Sequence, residues 1–146
     1  MNRLNIITLG VKDMKKSLHF YKSMGFKTSH TEDSPPDIIF FHNNGTKLAL
    51  YPIDALAVDI SLANPPKRTK GFSGITIAYN VHVKDDVDAT LAAAEKHGGK
   101  IIKAAEQVFW GGYSGYFEDP DGYIFEVAYS ETFKFDKQGM LIFDDE

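Results

Sequence analysis

A chain of 146 residues with 43% hydrophobic and 25% charged side chains is long enough to bury a sizeable core, so one compact globular domain over 1–146 is expected. Its 16 basic and 20 acidic residues leave a net charge of -4, and no basic stripe is interleaved with aromatics, which argues against nucleic acid as a partner. There are no cysteines, so disulfides, thiolate nucleophiles and Cys-based metal sites are excluded and any metal would need His, Asp or Glu.

From the start, Met1-Asn2-Arg3 runs directly into a strand-like segment without a leader. No apolar run approaches the roughly 20 residues that span a bilayer. A cytoplasmic protein without membrane contact is expected. Residues 4–11 alternate as a strand, with Ile7, Leu9 and Val11 on one face. Asp13 is placed to cap a helix from Met14 to Met24 whose apolar stripe includes Leu18 and Tyr21, and Gly25 stops it. Phe26-Lys27-Thr28 should begin a strand. Ser34-Pro35-Pro36-Asp37 breaks the chain, a short strand follows over 38–42, Asn43-Asn44-Gly45 turns, and Lys47 to Tyr51 forms the partner strand. This first module, about 1–52, has the order βαβββ.

A connection over 53–72 carries Leu56, Val58, Ile60 and Leu62 and reads either as a lid or interface segment or as a short helix packed outside. The first order then returns over about 73–130: a strand at 75–83, a helix over 87–97 closed by Gly98-Gly99, and strands near 100–102, at 113–118 and at 123–129. The helix starts correspond, Val11-Lys12-Asp13 with Val83-Lys84-Asp85, which gives an internal repeat of about 70 residues. The fold class is therefore α+β: two tandem βαβββ modules forming a curved mixed sheet with an open cleft and helices outside. A tail over 131–146, with Phe133 and Phe135, is expected to dock on the body or on a second subunit and to fray at Asp144-Asp145-Glu146.

The most informative stretch runs from Trp110-Gly111-Gly112-Tyr113 through Asp119-Pro120-Asp121-Gly122 to Glu126. Pro120 and Gly122 suit a tight turn between two strands rich in aromatic and β-branched residues. Glu126 thus falls inside a strand whose neighbours want burial, where a carboxylate is costly unless paired, metal-bound or protonated. It is a candidate general base, a contact for a cationic or hydroxylated ligand, or a residue satisfied by Thr76, Tyr113 or backbone. Trp110, Tyr113 and Tyr116, with Tyr51 and Phe40 from the first module and Thr76 from the second, are candidate ligand-binding residues. Trp110 leads them, because the glycines after it permit close approach.

Together the duplicated βαβββ order, the His19-Phe20-Tyr21...Gly25-Phe26 stretch and the Asp119-Pro120-Asp121-Gly122...Glu126 element resemble the vicinal oxygen chelate superfamily, which includes glyoxalases, extradiol dioxygenases and bleomycin-resistance proteins. The resemblance covers about residues 4–130. In metal-dependent members it implies a divalent ion held by His or Glu from the first and last strands of the modules. Glu126 matches the last such position, whereas the others fall at Ile6, at Ala49, and at Thr76 or Ala78. His82, on the parity of Ala78 and Asn80, is the alternative metal partner of Glu126. His42 flanks a turn, His19 and His97 suit helix surfaces, and His30 lies in a polar stretch. The expectation is a homodimer that binds a small organic molecule in an aromatic cleft without cofactor or metal, with sequestration as the activity implied by the bleomycin-resistance branch. The alternatives are a metal-dependent lyase, isomerase or dioxygenase with a nonstandard ligand set, and an interaction module whose cleft is filled.

Overall fold

The computed structural model describes residues 1–143, so the expected fraying of Asp144-Asp145-Glu146 lies outside the described residues. The chain divides into two compact units, Met1–Ile75 and the part from Thr76 onward.

In the first unit the order is β1 (Ile6–Val11), α1 (Met14–Ser23), β2 (Ile39–Phe40), β3 (Lys47–Pro52) and α2 (Ile53–Ile60). The sheet order is β1-β3-β2, with β1 parallel and β2 antiparallel to β3. Asp13 caps α1 as expected, its carboxylate accepting from the Lys16 N–H at 3.0 Å. The helix buries Leu18, Phe20 and Tyr21, and Tyr21 joins Phe26 and Phe41 in a ring cluster with centroids 5.4–5.7 Å apart. Leu9, Val11, Ile39, Leu48 and Leu50 complete this core.

The strand expected at Phe26–Thr28 is absent. Its backbone joins the rest through the His42 N–H donating to the Lys27 carbonyl at 2.8 Å. The polar run that follows ends in Pro35-Pro36, which supply no N–H to extend a ladder. Module one is therefore βαββ with a trailing helix. In the 53–72 connection, α2 buries none of its residues. It lies beside β1, where a Cβ on Gly10 would stand 3.1 Å from Ile53 Cγ1 and 3.2 Å from Leu56 Cδ2.

The second unit keeps the full βαβββ order: β4 (Ile77–Asn80), α3 (Asp85–Lys96), β5 (Lys100–Gln107), β6 (Tyr113–Glu118) and β7 (Ile124–Tyr129). Its sheet runs β4-β7-β6-β5, with β4 parallel to β7 and the other pairs antiparallel. Asp85, Asp86 and Asp88 in the first turn of α3 suit the positive end of its dipole. Val87, Leu91 and Ala94 are buried as α3 packs on β5, β6 and β7. Beneath it Phe117 and Phe125 stack across the strands at 5.1 Å. A small hairpin of β8 (Lys134–Phe135) and β9 (Leu141–Ile142) follows.

Candidate ligand cavity on the open face of the second sheet

Strand alternation decides which side chains can meet. In β7, Phe125 and Val127 are buried with α3, so Glu126 between them points to the other, open face. Antiparallel register sets Glu126 opposite Tyr116 of β6, parallel register sets it opposite Ala78 of β4, and Tyr116 is paired in turn with Lys103 of β5. One row across the sheet thus reads Ala78, Glu126, Tyr116, Lys103. The adjacent row holds Ala128, Ser114 and Glu106. Of these side chains Glu126, Tyr116, Lys103, Ser114 and Glu106, together with the segment from Gln107 to Trp110, line a cavity of about 280 Å³.

Charge in the cavity is mixed. Lys103 Nζ lies 2.9 Å from a carboxylate oxygen of Glu106. Tyr116 is held above the ordinary phenol range, first by desolvation and then by the charge of Glu126 and a hydrogen bond to it, against the opposing pull of Lys103. Two carboxylates and one ammonium leave the lining with an excess negative charge.

The loop above this row is a tight turn. The Val108 N–H donates to the Gly112 carbonyl at 2.9 Å and the Gly111 N–H donates to the Val108 carbonyl at 3.0 Å. With the Gln107 amide oriented to satisfy both of its groups, its nitrogen donates to the Gly112 carbonyl at 3.0 Å and its oxygen accepts from Lys84 Nζ at 2.9 Å. The Trp110 indole folds back over Gly112, where a Cβ would fall 1.8 Å from Cζ3. Only glycine permits that approach. Trp110 remains 43% exposed.

Of the residues singled out in the sequence, the structure brings Glu126, Tyr116 and Trp110 together in this cavity. Tyr113 lies outside its lining. Its hydroxyl donates to Asp88 of α3 at 2.9 Å, and Lys84 Nζ sits 4.6 Å from its ring centre. The Asp88 hydrogen bond, ahead of desolvation and nearby acidic charge, raises its pKa. Thr76 is exposed ahead of β4. Phe40 and Tyr51 belong to the first unit, Phe40 exposed in β2 and Tyr51 half-buried in β3. His82 lies past the end of β4 and packs at a tilt against Phe135 with centroids 4.0 Å apart. Lys103, Glu106, Ser114 and Gln107 were not singled out. The expected strand near 100–102 stops short of the register positions that carry Lys103 and Glu106 to Tyr116 and Ser114.

The donor set does not fit a divalent ion. Among the described residues no three His, Asp or Glu side chains come together as a metal site requires. The nearest cross-strand neighbours of Glu126 are a phenol and the methyl of Ala78. Ile6 and Ala49, at two of the remaining ligand positions, have no donor atom in their side chains.

A βαβββ unit whose helix covers one face of a mixed sheet and leaves the other open places the protein among small α+β proteins. The chain belongs to the glyoxalase/bleomycin resistance protein/dioxygenase superfamily, whose family model matches residues 3–127. A glyoxalase-related enzyme from Fulvimarina pelagi is 28% identical, with a TM-score of 0.85 over 98% of this chain and 99% of that one. The uncharacterized protein YraH of Bacillus subtilis (strain 168) is 28% identical over 123 residues, 83% of this chain and 93% of its own. A lactoylglutathione lyase from Agrobacterium tumefaciens, 20% identical, shares the fold with a TM-score of 0.62 over 88% of this chain and 94% of its own. The resemblance read from the Asp-Pro-Asp-Gly...Glu element and the duplicated order thus identified the superfamily. Among the described residues no helix is long and apolar enough to cross a membrane.

Proposed function

We propose that the cavity binds a small organic cation with a flat apolar body, held by Glu126 and packed against Trp110, and that binding rather than metal-assisted chemistry is the activity. The observation that carries this reading is the cross-strand row of Glu126, Tyr116 and Lys103 beneath a partly exposed indole. A carboxylate attracts an ammonium, the indole face attracts the same charge and packs on the adjoining apolar surface, and the Lys103–Glu106 pair closes one side. Sequestration of the bound molecule fits a cavity that sets one carboxylate beside an aromatic wall.

The protein is further proposed to be a homodimer. Val58, Ile60 and Leu62, on and just beyond α2, are 43–81% exposed, and several large apolar side chains left uncovered within five residues favour a partner of the same character.

The test is titration of phenethylamine into wild type, Glu126→Gln and Trp110→Ala by calorimetry, with elemental analysis and Mn, Ni, Zn and Fe(II) titration of the same proteins. Binding lost in both variants supports the reading. Stoichiometric metal in wild type, lost in Glu126→Gln, overturns it in favour of a metal-dependent lyase, isomerase or dioxygenase. No phenethylamine binding by wild type removes the cation class.

A further inference from the structure

The family match ends at residue 127, yet the chain continues into a hairpin that returns to the cavity. Ser130 starts that return. Its hydroxyl accepts from the Thr132 N–H at 3.2 Å and its carbonyl accepts from the Phe133 N–H at 3.2 Å. The hairpin turn is fixed by Asp136, whose carboxylate accepts from the Gln138 and Met140 N–H groups at 2.7 and 2.9 Å. Both strands of the hairpin are only two residues long, so side-chain contacts must hold it in place.

Those contacts form one aromatic column. The His82 ring packs on Phe135 at 4.0 Å, Phe135 meets Phe133 edge to face at 6.3 Å, and Phe133 lies nearly parallel to the Trp110 indole, 6.1 Å away with 22° between planes. Trp110 therefore has Gly112 against its ring and Phe133 stacked on it, while its remaining surface borders the cavity. An indole on a tight turn loses rotamer freedom when two sides are occupied, and a wall already ordered costs a ligand less to bind.

We propose that the C-terminal hairpin is the positioning element of the cavity: Phe133, backed by Phe135 and His82, holds Trp110 in place as its aromatic wall. Phe133 and its supports act through Trp110 and touch no ligand. The consequence for affinity rests on the ligand-binding reading above, whereas the ordering of Trp110 does not.

Trp110 is the only tryptophan, so its fluorescence reports on this one ring. The experiment compares acrylamide quenching and fluorescence anisotropy in full-length wild type, Phe133→Ala, Phe133→Tyr and His82→Ala, each checked for its unfolding midpoint, and then titrates phenethylamine. In Phe133→Ala, quenching rises and anisotropy falls without ligand, and the phenethylamine dissociation constant rises about two- to tenfold, the worth of one aromatic pair. Phe133→Tyr restores both readouts, and the exposed His82→Ala, which leaves the fold intact, moves them part of the way. Quenching unchanged in Phe133→Ala and His82→Ala overturns the proposal. If Phe133→Ala fails to fold, His82→Ala decides it, and unchanged quenching there overturns the proposal. If wild type does not bind phenethylamine, the ligand reading fails and the quenching comparison still decides the role of the hairpin.

Discussion

The phenol of Tyr116 sits among groups that keep its proton on: partial burial first, then the neighbouring Glu126 carboxylate. A phenol whose folded pKa lies above its unfolded value of 10.0 leaves the native state holding a proton that the unfolded chain has released. Between those two values stability falls as pH rises, and below them the contribution is complete. Tyr116→Phe therefore flattens the loss of stability above about pH 10 relative to wild type, and Glu126→Gln flattens it in part by removing the anion and its hydrogen bond. Urea midpoints measured from neutral to strongly alkaline pH check this, and parallel curves for all three proteins would refute it. Tyr113 shows what the sequence left unread at this scale. It is three positions from Tyr116 in one strand, so the two rings leave opposite faces. Period-two alternation anchored on Phe117 and Phe125 would have sent Tyr113 to the helix side and Glu126 with Tyr116 to the open side.

Among the elements, β6 is the pivot, because it joins Glu126 on β7 to Lys103 on β5. Its closeness to α3 and β5 depends on Gly115, where a Cβ would stand 2.6 Å from Leu91 Cδ1, 2.8 Å from the Lys103 carbonyl oxygen and 2.9 Å from the Ala105 nitrogen. Two of these three neighbours are backbone and cannot rotate away. Gly115→Ala accordingly costs about 1–3 kcal/mol of stability, read by chemical denaturation, and adding Leu91→Ala does not restore it. The β6–β7 turn is tied by Asp119, which is buried and accepts from the Asp121 and Tyr123 N–H groups at 2.9 and 2.8 Å. Asp119→Ala leaves those donors unmet and costs about 1.5–3 kcal/mol, with phenethylamine affinity falling as the Tyr116–Glu126 register loosens. This turn was legible, since Asp-Pro-Asp-Gly carries its own backbone chemistry, and so were α1, through its Asp13 cap and apolar stripe, and α3, through its stripe and the glycines that close it. The short β4, the missing strand after α1 and the full reach of β5 were not. Those depend on which edges find partners, a tertiary outcome that local propensity does not encode.

At the scale of the whole molecule, the apolar residues that the chain leaves uncovered matter most. A helix with the composition of α2, Ile53-Asp54-Ala55-Leu56-Ala57-Val58-Asp59-Ile60, ordinarily turns one face into a core, yet none of its residues is buried, and Ile60 and Leu62 are 67% and 81% exposed. The apolar run over 53–62 was visible in the sequence, which could not tell a lid from an outer helix or an interface, because that depends on a partner surface absent from one chain's pattern. Exposure of this kind in wild type favours self-association through α2, and each isoleucine or leucine contributes about 1.5–3 kcal/mol when fully buried. Ile60→Asp with Leu62→Asp should then raise the dissociation constant by about a hundredfold or more, turning a particle with the mass of two chains into one with the mass of one chain at micromolar concentration. Light scattering behind size-exclusion chromatography measures this directly. A wild type that runs as a monomer, or a double variant that stays dimeric, would mean that α2 is not where two copies meet.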